Sequence, residues 1–356
     1  MKSKCTLLLF IICGFSYACS VADENLPKLN DVQVIGSHNS YKKAIEPTLW
    51  NHLFKKDSIK AKSLQYDHIP IKEQLELGLR SLELDVFYDP DGGHFSNPKG
   101  LDIIRNIGEN PQEFDLSNKL QERGFKMFHI QDIDFRSHHL LFKDCLESIK
   151  KWSYDNSKHL PLVILINTKD KCIDSLTHPV AFNKLAFDKL DQEIRSVFEE
   201  NHLITPDYIR GNYSNLENAI LEKGWPNLNN VKGKILFVLD EKVDKIEKYL
   251  DGHASLKGRV LFVNSKEGNA EAAFRVVNDP IKDFDYIKEL VSKGYLVRTR
   301  ADSGTKESRT NDFSRFEKAI ESGAQIISTD YYIPTTLYPS YYKVSFDNDR
   351  YERLIK

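Results

Sequence analysis

The chain has 356 residues, 29% of them charged and 40% hydrophobic, the balance of a globular protein with a large core. Its formal net charge of -2 excludes the basic footprint of a nucleic-acid binder. At the N-terminus, Lys2 and Lys4 precede a short apolar stretch, Thr6 to Phe15, too short to span a bilayer comfortably. This predicts a signal peptide over residues 1–22. Ser20-Val21-Ala22 before Asp23 suits ordinary cleavage, whereas Ala18-Cys19-Ser20 reads as a loose lipobox with Cys19 lipidated. Either way the protein is expected to be exported: secreted or periplasmic, or anchored to the membrane through Cys19. Residues 23–356 then form one domain, expected to be monomeric. Cys145 and Cys172 could pair in an exported protein, but the apolar helical spacing Leu141, Cys145, Ile149 favours plain burial of Cys145.

Eight short apolar, β-branched runs follow in chain order: 31–36, 81–87, 126–130, 161–167, 234–239, 259–263, 295–299 and 325–329. Helical spacing fills most of the intervals, at 71–79, 140–152, 182–198, 242–250, 281–292 and 313–321. Gly78, Gly294 and Gly323 stand near or just past the ends of three of these helices. Strands alternating with helices imply a parallel sheet. Eight such units predict an α/β fold of the (β/α)8 TIM type, with a long loop insertion after strand 2 at roughly 88–124.

Such a barrel places its site at the carboxyl ends of its strands. The first run ends in Gly36, Ser37, His38 and Asn39. The second carries Glu83 and Asp85, two apart and so on one side of the strand. The third ends in His129 and the fourth in Asn167, Thr168 and Lys169. The seventh carries Arg298 and Arg300, and the eighth ends in Thr329 and Asp330. Two inward carboxylates repel unless a cation sits between them, and a hard divalent ion takes oxygens from Asp, Glu and Asn. Two histidines suit an acid and a base, and Lys169 with the paired arginines suits a phosphate. Together these predict metal-assisted phosphodiester chemistry. The bland alternatives are that Arg298 and Arg300 only pair with the carboxylates and that Lys169 is a solvated loop residue. Asp132 and Asp134 read as supporting partners or caps, and Tyr41 as packing or a rim contact.

The blocks "IGSHNSYK", "LELDV" and "MFHIQD" resemble the phosphatidylinositol-specific phospholipase C-like phosphodiesterases, in particular their calcium-dependent phospholipase C1-like branch. The likeness continues through "LPLVILINTKD", "GKILFVLD", "GYLVRTRADS" and "SGAQIISTDYYIP". It implies a distorted barrel. It also implies His38 and His129 as catalytic histidines and Asn39, Glu83 and Asp85 as ligands of calcium, with magnesium also compatible. Lys169, Arg298 and Arg300 fall in blocks that look like phosphate-contacting strand ends. One departure stands out. Eukaryotic relatives are expected to carry a carboxylate at the end of the fourth strand, where this chain has Asn167; an amide can coordinate, with one charge less.

The resulting expectation is cleavage of phosphatidylinositol, or a related inositol phosphodiester at a membrane surface, through attack of a neighbouring hydroxyl. Glu83 or His38 is the base and His129 the acid toward the leaving oxygen. A glycerophosphodiesterase-like hydrolase attacking with water, a related enzyme with a glycan-linked phosphodiester substrate, and a non-catalytic phosphoinositol-binding surface protein are the alternatives. Apolar residues of the insertion (Phe95, Leu101, Ile103, Ile104, Phe114) and of the tail (Tyr338, Tyr341, Tyr342) are candidates for a lipid-facing rim, with plain packing of most of them the alternative.

Overall fold

A computed structural model describes residues 26–355; the expected signal peptide, with Cys19, lies outside them. Among the described residues ten strands form in chain order: β1 (Val32–Ser37), β2 (Ser81–Asp89), β3 (Gly124–Lys126), β4 (Leu162–Thr168), β5 (Ile235–Leu239), β6 (Phe262–Val263), β7 (Phe274–Val276), β8 (Leu296–Arg300), β9 (Ile326–Thr329) and β10 (Glu352–Leu354). Eight are parallel neighbours in the order β6-β5-β4-β2-β1-β9-β8-β7. A parallel bridge between Asn264 and Phe274 draws β6 toward β7, so the sheet nearly closes into a TIM-like barrel.

The strand count is as the sequence predicts, but one member differs. The run 126–130 is not a barrel strand. β2 overshoots the barrel, and β3 returns antiparallel along its far end, Phe87 opposite Lys126. This return carries residues 127–129 back down to the barrel mouth. The place is taken by β7, where Arg275 interrupts an apolar pattern of only three residues, too short to read. The insertion is also more ordered than expected, with a helix at Lys99–Asn106.

Leu82, Leu84 and Val86 face outward into the main core, with Ile71 and Leu75 of one helix and Phe142, Cys145, Leu146, Ile149 and Trp152 of another. The alternation leaves Glu83 and Asp85 pointing into the barrel. β1 meets β2 through one register pair, Gly36 and Ser81. A Cβ on Gly36 would lie 2.5 Å from Ser81 Cβ, so the glycine serves close strand approach rather than a break; β1 runs on through Ser37. Cys145 is buried and Cys172 exposed, and both are free thiols. Among the described residues, no helix is long and apolar enough to cross a membrane.

Candidate active site

The chain leaves β1 through Asn39 in a left-handed conformation, φ 50°, which asparagine tolerates better than most residues. The flanking hydroxyls tie this turn to β2. Ser40 Oγ lies 2.6 Å from Ser37 Oγ and accepts the Glu83 amide at 2.8 Å, while Ser37 Oγ lies 2.6 Å from Gln74 Oε1. The polar run after β1 therefore fixes His38 beside Glu83.

His38 Nδ1 lies 2.8 Å from Asp330 Oδ1, and its Nε2 lies 3.5 Å from Glu83 Oε1. Burial, then the Arg300 guanidinium, holds the His38 imidazole well below its ordinary pKa. Its carbonyl accepts from His68 Nε2 at 2.7 Å, and the His68 carbonyl accepts from His138 Nε2 at 2.7 Å. His129 Nδ1 lies 2.8 Å from Asp134 Oδ2. The Tyr66 ring lies near both histidines, 6.0 Å from His38 and 6.3 Å from His129, and its hydroxyl accepts from Asn39 Nδ2 at 2.7 Å.

All the predicted site residues gather around this mouth, but not in equal freedom. Glu83 accepts from Asn167 Nδ2 at 2.9 Å and from Arg298 Nη2. Arg298 is buried and also bonded to Ser328 and Asn278, so its charge is committed to Glu83. Arg300 pairs with Asp330 at 3.4 Å. Lys169 is no solvated loop residue: its Nζ lies 2.8 Å from Asp85 Oδ2, which also accepts from Tyr41 at 2.7 Å. Tyr41 is packed in the core rather than at a rim, and its hydroxyl also supports Asp85.

Sequence reasoning passed over Asp330 as a histidine partner, since it meets His38 only through the fold, 292 residues away; Asp134, read as a support, meets His129 locally, five residues on and across a tight turn. It also missed Asp302, which accepts the Asp330 amide at 3.0 Å. Burial and the adjacent Asp330 charge push Asp302 up to about 7. Asp240, at the end of β5, was likewise unread; burial pushes it up to about 7, with Arg298 opposing.

Among the described residues, no three His, Cys, Asp or Glu side chains are already gathered tightly enough to hold a metal ion. The donors nevertheless fit a hard cation in kind. They are all oxygens, and Asp85 Oδ1 is buried with no hydrogen-bond partner, the state of a ligand atom awaiting a cation.

The class comes first from comparison with known proteins: a phosphoric diester hydrolase built on a TIM-like barrel. Residues 27–355 match the family described as phosphoinositide phospholipase C, Ca2+-dependent, and the chain belongs to that family. Its fold is similar to the calcium-dependent phosphoinositol-specific phospholipase C of the Gram-negative bacterium Pseudomonas sp., with a TM-score of 0.55, 14% identity, and 92% of this chain and 95% of that one covered. The structure of that enzyme described as a myoinositol complex matches with a TM-score of 0.54 and 15% identity, over 92% of this chain and 95% of that one. The calcium-dependent phosphatidylinositol-specific phospholipase C of Streptomyces antibioticus matches with a TM-score of 0.54 and 15% identity, over 89% and 99%. No curated protein matches the chain.

Proposed function

We propose that this protein cleaves phosphatidylinositol, or a related inositol phosphodiester, by attack of the hydroxyl next to the phosphate, and that water then opens the cyclic ester. The observation that carries this reading is the pair of carboxylate-held imidazoles. Asp330 and Asp134 each take the Nδ1 side, leaving both Nε2 atoms for the substrate, with the Tyr66 ring near both imidazoles. His38, beside Glu83, takes the proton of the attacking hydroxyl, and Asp330 stabilises the imidazolium that forms. His129 gives a proton to the leaving oxygen. In the second step the two exchange roles. Lys169 and Arg300 hold the phosphate, while Arg298 pairs with Glu83. Calcium held by Asn39, Glu83 and Asp85, with Asn167 beside them, would neutralise phosphoryl charge and lower the pKa of the attacking hydroxyl.

Access to a lipid surface is supported by the two helices after β1, Pro47–Lys56 and Ser58–Ser63. They expose Lys55, Lys56, Lys60 and Lys62 around Ile59, which is 82% exposed. Of the rim candidates in the insertion and tail, Phe95, Ile104 and Tyr342 are buried, as the packing alternative has it, and Tyr341 is the member left exposed. Export as a secreted, periplasmic or Cys19-anchored protein agrees with such a substrate. The test is a phosphatidylinositol whose neighbouring hydroxyl is methylated. It should resist cleavage while the natural lipid is cut; equal turnover of both would mean attack by water, as in a glycerophosphodiesterase.

A further inference from the structure

Where the helices Pro47–Lys56 and Ser58–Ser63 meet Ile133, they enclose a cavity of about 210 Å³. Its apolar lining is Leu53, Ala61, Leu64 and Ile133, and its polar lining is Lys56, Lys60 and Asp57, all three exposed. The charges around it do not balance. Residues 51–62 hold four lysines, Lys55, Lys56, Lys60 and Lys62, against the single carboxylate of Asp57. That carboxylate is committed to the chain itself, where its Oδ1 caps the second helix, accepting from the Ile59 and Lys60 amides at 3.1 and 3.0 Å. Among the described residues no ion pair involves any of the four lysines.

Size and chemistry narrow what this cavity takes. Whole small-molecule sites enclose roughly 300–1,000 Å³, so this one admits one end of a ligand and leaves the rest outside. An apolar floor beside two unpaired ammonium groups suits an anionic amphiphile: a stretch of chain against Leu53, Leu64 and Ile133, and a phosphate at Lys56 and Lys60, whose stems run along the apolar surface. Ile59, next to Lys60 and 82% exposed, gives the same short helix an apolar point toward a bilayer. The cavity is separate from the catalytic mouth but adjoins it along the chain. Leu64 stands two residues before Tyr66, whose ring lies near both histidines, and Ile133 stands beside Asp134, the partner of His129.

We propose that this cavity is an accessory lipid site, which takes one anionic phospholipid of the membrane surface that is not the substrate, its phosphate on Lys56 and Lys60 and part of one acyl chain in the apolar floor. The docked lipid holds the catalytic mouth against the bilayer. This rests on the functional reading above in taking a membrane as the place of work, but it concerns binding alone, and its test does not require turnover.

The experiment presents the mature protein with phosphatidylcholine vesicles, with and without phosphatidylglycerol, an anionic lipid that carries no inositol. Binding is read by co-sedimentation, and chain entry by quenching of tryptophan fluorescence with bromine on the phosphatidylglycerol chains. Trp50 is a built-in reporter: its Nε1 donates to the carbonyl of Ala61, a lining residue, at 2.9 Å, whereas Trp152 and Trp225 are buried in the main core. Vesicles with phosphatidylglycerol should bind and quench, and Trp50→Phe should bind but lose most of the quenching. Lys56→Gln with Lys60→Gln, both at exposed positions, should keep the native Tm. The pair should weaken binding by about tenfold or more, at about fivefold for each lysine near an anionic surface, and abolish quenching. Equal binding to phosphatidylcholine alone, native binding in the double variant, or quenching that persists in Trp50→Phe would overturn the assignment. So would binding without quenching, the mark of lysines touching headgroups with no chain in the cavity, and so would no binding at all. The lipid-cleavage reading is judged apart from these outcomes by its own product.

Discussion

Asp134 Oδ2 lies 2.8 Å from His129 Nδ1, while its other carboxylate oxygen lies 3.3 Å from the Nζ of Lys42, a lysine with no exposed surface. Lys42 closes the "IGSHNSYK" block, so one short stretch supplies His38 directly and steadies His129 from behind. Asp134→Asn should keep the fold and turn the imidazole to the wrong tautomer, lowering kcat by about 10²–10⁴-fold, the worth of a placed proton carrier. Steady-state assays checking this should find KM little changed; a loss of under threefold in kcat would remove Asp134 from the account.

Lys42→Met probes the same link through stability. It leaves Asp134 buried with only His129 as counter-charge, and breaking a buried pair from one side costs about 3–5 kcal/mol. Denaturant unfolding should show that loss, and Lys42→Met with Asp134→Asn should recover part of it. Strictly additive losses would mean the two side chains do not interact.

Gly36→Ala tests the seam between β1 and β2. The added methyl meets Ser81 Cβ at 2.5 Å and the Ser81 carbonyl oxygen at 2.7 Å, and backbone cannot swing aside. Overpacking there should cost about 1–3 kcal/mol or more and displace His38 and Asn39 relative to Glu83. A variant with native Tm and native kcat would show that the seam is looser than drawn.

His68 gives the pH prediction. Burial lowers its pKa to about 4, with the Asp330 charge opposing. Its Nδ1 has no partner, and its Nε2 donates to the His38 carbonyl. Because the unfolded chain binds a proton near pH 6.5 and the folded one does not, this group removes stability as pH falls from about 6.5 to about 4. The full loss is about 3 kcal/mol on that span. An NMR titration should show His68 still neutral at pH 5; titration near 6.5 would contradict the burial assigned to it.

Much of this was legible in the chain. Alternating Leu82, Glu83, Leu84, Asp85 and Val86 announced a strand with an acidic inner face, and the strand-end rule placed His38, Asn167, Lys169 and Arg300 at the mouth. What stayed hidden depends on partners far apart in sequence. The bond between His38 and Asp330 spans 292 residues, and Asp85 meets Tyr41 and Lys169 only after the sheet forms. His129 was rightly brought to the mouth for the wrong reason: a returning antiparallel strand mimics a barrel strand in composition. β7 escaped because three residues carry no period.

The most direct test of the central claim is phosphorus NMR of the mature protein acting on phosphatidylinositol, first with calcium and then with EDTA. The account predicts a cyclic inositol phosphate that appears with calcium, decays to the open phosphate, and is lost on chelation. Open phosphate with no cyclic species at any time would contradict attack by the neighbouring hydroxyl, and undiminished turnover in EDTA would contradict the metal site.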